Sequence, residues 1–178
     1  MIVYLFYNAD ILDIPKAHGE LAVAFVDHTA LFAEGSTFAD THTKLRNMMN
    51  RHGGAFEWSA AHNSRFEISK FALIDFSLKK DIDRPPLILR QTIITPTTHH
   101  KFLGVIFDQD LRWRQHTDYT VAKASKWISL FKRITKTQSG LLSQLLRRLY
   151  IAVAVPKITY AADVWFTPLH TPPVGWWP

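Results

Sequence analysis

Two side chains stand out by where they sit. Asp27 lies in "AVAFVDHTALF", residues 22–32, at the break between two apolar, β-favouring runs. An aspartate at the tip of a strand–turn–strand unit has two uses. It can bond nearby backbone N–H groups in an ordinary turn. It can also offer a hard, anionic oxygen to a divalent cation, as where several carboxylates surround two ions in an in-line displacement at phosphorus. Spacing alone leaves both open. Lys70, in "RFEISKFALIDFS", is either an exposed strand lysine or a cation and proton donor for a phosphate leaving group. A third group is basic: Lys123, Lys126, Lys132 and Arg133, then Arg147 and Arg148. These residues form a solvated helix face or track the phosphates of a nucleic acid.

Nine histidines invite a metal site, but their spacing argues against one. His99 and His100 are adjacent, so on a strand they point to opposite faces. His42, His52 and His62 are ten apart and straddle Gly53-Gly54, without the i, i+4 placement that seats two ligands on one helical face. His116 reads as a residue that caps or orients the helix beginning there. The chain has no cysteine, which excludes a disulfide scaffold, a cysteine zinc site and a thiol nucleophile. Trp113, Trp127, Tyr150 and Trp165 are placed as packing residues, ahead of any role in stacking on bases.

The elements that must hold these groups follow from periodicity. The chain has 178 residues, 47% hydrophobic and 20% charged, with a formal net charge of +6 and a pI near 9.7. Those values suit a globular chain of about one domain with an anionic partner. No apolar run reaches the roughly 18 residues of a membrane span, and no signal peptide is apparent. The expectation is a soluble intracellular protein of nucleus or cytoplasm with no membrane partner. Residues 1–12 read as the end of a helix, so the chain looks truncated. Residues 21–26 and 29–34 read as strands around "VDHT", buried on both faces. Ser36 or Thr37 can cap the next helix, with Asp40 three positions after Thr37; it carries Phe38, Leu45, Met48 and Met49, and the glycine pair should break or bend it. A strand is expected over 66–76, short strands at "LILR" and "TIITP", and a hairpin in "HKFLGVIFDQDLRW" with its turn at Asp108, Gln109 and Asp110. Residues 116–136 and "LLSQLLRRLYIAVAV" read as helices, the second stopping before Pro156. The layout is α+β with an all-α appendix.

"FVDHTALFAEG", an amphipathic helix and "FEISKFALIDF" resemble, in that order, the C-terminal half of the palm of a reverse transcriptase. The similar type is the non-LTR (LINE-like) retrotransposon polymerase of fungal genomes. "HKFLGVIFDQDLRWRQH" is similar to the segment that leads from that family's primer-holding hairpin into its thumb, and residues 3–12 to the tail of its substrate motif. The resemblance covers roughly residues 3–166. It implies a partial palm, an antiparallel sheet with a packed helix, over residues 1–112. Thumb-like helices would follow over 113–166, with a Pro- and Trp-rich tail over 167–178. It implies an RNA-directed DNA polymerase, a nucleotidyltransferase working through two Mg²⁺ ions, with an RNA/DNA primer–template duplex as partner. Asp27 would be the metal-binding and catalytic aspartate of the aromatic-x-Asp-Asp hairpin, and Lys70 the lysine beside the incoming nucleotide's phosphates. Lys123, Lys126, Lys132, Arg133, Arg147 and Arg148 would hold nucleic acid. This sequence departs from the pattern at two points. His28 stands where the second aspartate belongs, and the aspartate of the earlier strand would precede residue 1, so neither Asp10 nor Asp13 replaces it. The expectation is a fragment inactive by itself, with an upstream polymerase piece as a candidate partner. The alternative is a non-enzymatic nucleic-acid-binding or interaction remnant.

Overall fold

The computed structural model describes residues 6–79, 83–135 and 142–166. Over the described residues the chain is mixed α and β, its strands forming three two-stranded sheets. It divides into two compact units. Unit 1 comprises Met1–Leu103 and Gln109–Leu111, and unit 2 comprises Gly104–Asp108 and Arg112–Pro178.

In unit 1, residues 6 and 7 are helical and a 3-10 turn follows over Ala9–Asp13. The rest of the expected leading helix, residues 1–5, lies outside the described residues. Strands β1 (Glu20–Phe25) and β2 (His28–Ala33) pair antiparallel from Glu20↔Ala33 to Phe25↔His28. The four-residue break read from the sequence is therefore a two-residue turn, Val26-Asp27. Val26 takes φ 57°, a costly value for a β-branched residue. Two-residue hairpins call for positive φ there because that turn matches the strands' twist.

Burial alternates along this hairpin, which corrects the expectation of two covered faces. Ala22, Ala24, Leu31 and Ala33 face the core side. Leu21 and Phe25 are each 57% exposed, and Val23 and Phe32 are exposed beside them. The run is apolar on both sides, but in the described part of unit 1 only one side gains a cover, from the 3-10 turn and the first helix.

That helix, α1 (Phe38–Asn50), starts where Thr37 Oγ1 accepts from Asp40 N at 3.2 Å, satisfying one N–H left open at a helix start. It buries His42, Met48 and Met49. The glycine pair ends it. A Cβ on Gly54 would lie 2.7 Å from the carbonyl oxygens of Met48 and Arg51, so α2 (Ala55–Ala61) can begin at once only with glycine there. The strand expected over 66–76 does not form. A 3-10 turn occupies Ile68–Lys70, and only Leu73 makes a bridge, to Pro96. Phe66, Ile68, Phe71 and Leu73 still pack on the core, but β3 (Leu87–Leu89) and β4 (Thr92–Ile94) pair with each other. Full burial of Ile14, Met48 and Leu89 stabilises the unit by about 1.5–3 kcal/mol per side chain.

Strand β5 (His99–Phe102) closes unit 1 and β6 (Val105–Asp108) opens unit 2. Between them Leu103 (φ 46°) and Gly104 (φ 86°) turn the chain, so the turn expected at Asp108–Asp110 is displaced. Asp108 instead ends β6, buried. Unit 2 continues with α3 (Arg114–Ile134), α4 (Ser143–Leu149), a π-turn over Tyr150–Ala154, α5 (Val155–Ile158) and α6 (Ala162–Trp165). The helical path does not stop before Pro156, which sits in the first turn of α5. A proline in a helix leaves a carbonyl without its N–H and crowds the preceding turn. The wider π-turn shifts the register just ahead of it. The end expected at Gly140 and the tail over 167–178 lie outside the described residues.

Candidate functional site

The hairpin tip is held from below. Asn8 is 8% exposed, and its Nδ2 donates to the Val26 carbonyl at 3.2 Å. Asp27 itself is exposed, as is its neighbour His28, whose ring lies 6.2 Å from that of Phe102. The foot of β1 is clamped. Arg51 Nη1 and Nη2 reach Glu20 Oε1 and Oε2 at 3.1 and 2.6 Å, and Nη2 also donates to the Ile14 carbonyl. Glu20 accepts further from the backbone N–H groups of Lys16 and Ala17 at 2.9 and 3.2 Å. Burial alone would push the Glu20 carboxyl up; the Arg51 and backbone hydrogen bonds, with the guanidinium charge, hold it below the ordinary glutamate value.

The donor set decides the fit of a metal pair. Among the described residues, no three histidine or acidic side chains come together as ligands. Asp10 instead lies 3.8 Å from His62 Nε2, and Asp13 is exposed on the 3-10 turn. His28 offers a neutral, softer nitrogen where a hard cation favours oxygen. One exposed carboxylate does not fit a site for two Mg²⁺ ions.

Lys70 sits on the 3-10 turn, exposed, its Nζ 2.5 Å from Glu67. The hydrogen bond to Glu67, then its charge, raises the lysine above its ordinary value; the same hydrogen bond lowers Glu67. A raised lysine is a fixed cation and a poorer proton donor near neutral pH. The histidines are likewise engaged singly. His42 Nε2 meets Asp75 Oδ1 at 2.8 Å, both buried, with Asp75 Oδ2 lacking a hydrogen-bond partner. His62 stacks on Trp58 at 4.5 Å. His116 Nδ1 accepts from Ile106 N at 3.1 Å, which orients the start of α3. Asp108 accepts from the N–H groups of Arg112 and Arg114 at 2.7 and 3.2 Å. The Glu20–Arg51 and His42–Asp75 pairs join residues 31 and 33 apart, and no local pattern announces them. The 440 Å³ recess beside the start of α1 holds Lys44 between Asp40 Oδ2, at 3.6 Å, and the Glu34 carbonyl, at 2.6 Å. Its one lysine is already engaged by these two oxygens.

The basic residues fall together in unit 2. Lys126, Lys132 and Arg133 are exposed on α3, and Arg147 and Arg148 are exposed at the end of α4. Lys123 is half-buried, its Nζ 5.1 Å from the Tyr119 ring. Lys126 and Arg133, seven apart, share a helix face. Lys132 and Arg133 occupy the last turn of α3, where the helix dipole favours cations; Arg147 and Arg148 lie where α4 runs on into the π-turn. Unit 2 carries ten lysines and arginines against three aspartates, while unit 1 carries eleven against twelve acids. The chain's whole cationic excess therefore belongs to unit 2. Tyr150 corrects the packing assignment read from sequence, being 50% exposed; Trp113, Trp127 and Trp165 are half-buried. Among the described residues no helix is long and apolar enough to cross a membrane. Comparison with protein families, with curated proteins and with solved structures finds no match to this chain.

Proposed function

We propose that the chain is a palm-and-thumb piece of a retrotransposon-type reverse transcriptase that does not polymerise by itself and keeps a nucleic-acid-binding surface. The hairpin carries this proposal. β1 and β2 pair residue for residue up to Phe25↔His28, leaving Asp27 exposed at a two-residue tip. That is the form the resemblance asks of a metal-holding carboxylate after an aromatic residue. In the intact family two magnesium ions supply the nucleotidyl transfer. Here one carboxylate of that set is present, and holding two doubly charged ions takes several. Lys70, whose cationic form Glu67 favours, retains the charge its family position needs and is the weaker proton donor for it. The family's earlier aspartate would be needed to complete the site.

The charge division favours the nucleic-acid part independently of the hairpin, because phosphate tracking needs a local excess of cations and unit 2 has one. The test uses the purified chain on a poly(rA)·oligo(dT) primer–template with Mg²⁺ or Mn²⁺. Incorporation equal to that of an Asp27→Ala control is expected, and Asp27-dependent extension would overturn the claim of inactivity. Fluorescence anisotropy on the same primer–template follows binding. Affinity falling linearly on log–log axes with added KCl is expected; no binding at low salt removes the nucleic-acid role.

A further inference from the structure

Unit 2 presents aromatic rings to solvent beside its cations. Tyr150 and Phe166 are 50% and 62% exposed. Each is held edge-on by an inner ring. Phe131 meets Tyr150 at 6.1 Å and 63°, and Trp165 meets Phe166 at 6.1 Å and 83°. Those inner rings rest on others in turn, Phe131 against Trp127 at 5.9 Å and Trp165 against the buried His116 at 4.9 Å. An edge-on neighbour fixes a ring's plane while leaving face area open. Tyr150 stands two residues after Arg148 and three after Arg147, both exposed, and exposed Lys157 lies between the two rings in the chain, its Nζ 5.3 Å from the Trp127 ring. Oriented, half-open rings interleaved with cations suit an unpaired base on a phosphate backbone, because every base has a face to stack. A duplex buries those faces and meets only the charges.

We infer that unit 2 binds single-stranded nucleic acid, Tyr150 and Phe166 stacking on unpaired bases while Arg147, Arg148 and Lys157 pair with phosphates. This rests on the nucleic-acid part of the proposed function and adds which form of nucleic acid is taken. The whole chain is titrated into fluorescein-labelled oligo(dT) and into the oligo(dT)·oligo(dA) duplex at matched KCl, with vesicles of phosphatidylserine and phosphatidylcholine as a further arm. Tighter binding to the single strand is expected. Tyr150→Ala and Phe166→Ala should each weaken it at least about fivefold and leave duplex binding within about twofold, with Tyr150→Trp restoring single-strand affinity. Arg147→Glu with Arg148→Glu should weaken both oligonucleotides. Circular dichroism checks that each variant keeps its helices. Duplex binding equal to or tighter than single-strand binding, indifferent to both alanine variants, overturns the stacking role and leaves the broader nucleic-acid role standing. Binding of neither oligonucleotide overturns both, and binding of vesicles alone assigns the surface to anionic lipid instead.

Discussion

Arg51→Ala should cost unit 1 about 3–5 kcal/mol at pH 7, and the figure follows from what the substitution leaves behind. The Glu20 side chain is 2% exposed and the Arg51 side chain 23%. Removing the guanidinium leaves a carboxylate with little access to water and only the Lys16 and Ala17 N–H groups to hold it. Glu20→Gln should cost less, about 1–3 kcal/mol, because the arginine left behind still reaches solvent. The pH dependence gives the sign. Glu20 is depressed in the folded chain below 4.5, so its contribution is present above pH 4.5 and is lost as pH falls through the folded value. Urea unfolding followed by fluorescence should therefore show wild type and Arg51→Ala well separated at pH 7 and converging in acid. Glu20→Gln should lack this acid-sensitive part. A cost below about 1 kcal/mol for Arg51→Ala, or a gap that persists unchanged in strong acid, would refute the clamp.

The buried His42–Asp75 pair should behave in kind: His42→Ala leaves Asp75 with neither carboxylate oxygen satisfied by a side chain, and a thermal melt should show unit 1 weaker by about 3 kcal/mol or more. Replacing both by apolar residues should recover most of that loss, a non-additivity that a double-mutant cycle reads directly. In unit 2, Asp108→Ala frees the N–H groups of Arg112 and Arg114, which should cost about 1–3 kcal/mol. Faster amide exchange at the start of α3 is the local signature; an unchanged exchange pattern would refute the turn-capping role of Asp108.

Legibility from sequence followed the range of the forces. The Thr37 cap, the methionines on one helical stripe and the glycine pair are all local, and α1 formed where they point. β3 and β4 follow their apolar runs for the same reason. Residues 66–76 carry a strand's composition, but a strand needs a neighbour, and which neighbour is free is settled elsewhere in the chain. The Leu103-Gly104 turn is masked in the sequence by the stronger turn signal of "DQD", and one of its two positive φ values falls on a leucine, which rarely takes one. Asp27's place at a hairpin tip was legible from the two flanking runs. Lys70's partner Glu67 was within reach, three residues away, but the expected strand would have set the two on opposite faces. The charge division became visible only with the unit boundary.

The hairpin's stability and its tip's chemistry are separable, and this bears on how such a relic would arise. What holds β1 and β2 is the core-facing row of Ala22, Ala24, Leu31 and Ala33, the Glu20–Arg51 clamp at the foot and Asn8 under the turn. None of these involves the Asp27 carboxylate. Carboxylates crowded round an ion repel one another whenever the ion is absent, so a metal site costs its fold something that only catalysis returns. Under the proposed ancestry, a chain released from polymerisation gains stability by exchanging such acids, as His28 stands for one here, and loses nothing that keeps the strands paired. The basic surface follows a different rule. Most of its cations are exposed and spread along helices, each easily solvated, so no comparable repulsion drives their removal, and under the proposed reading binding to nucleic acid would outlast turnover.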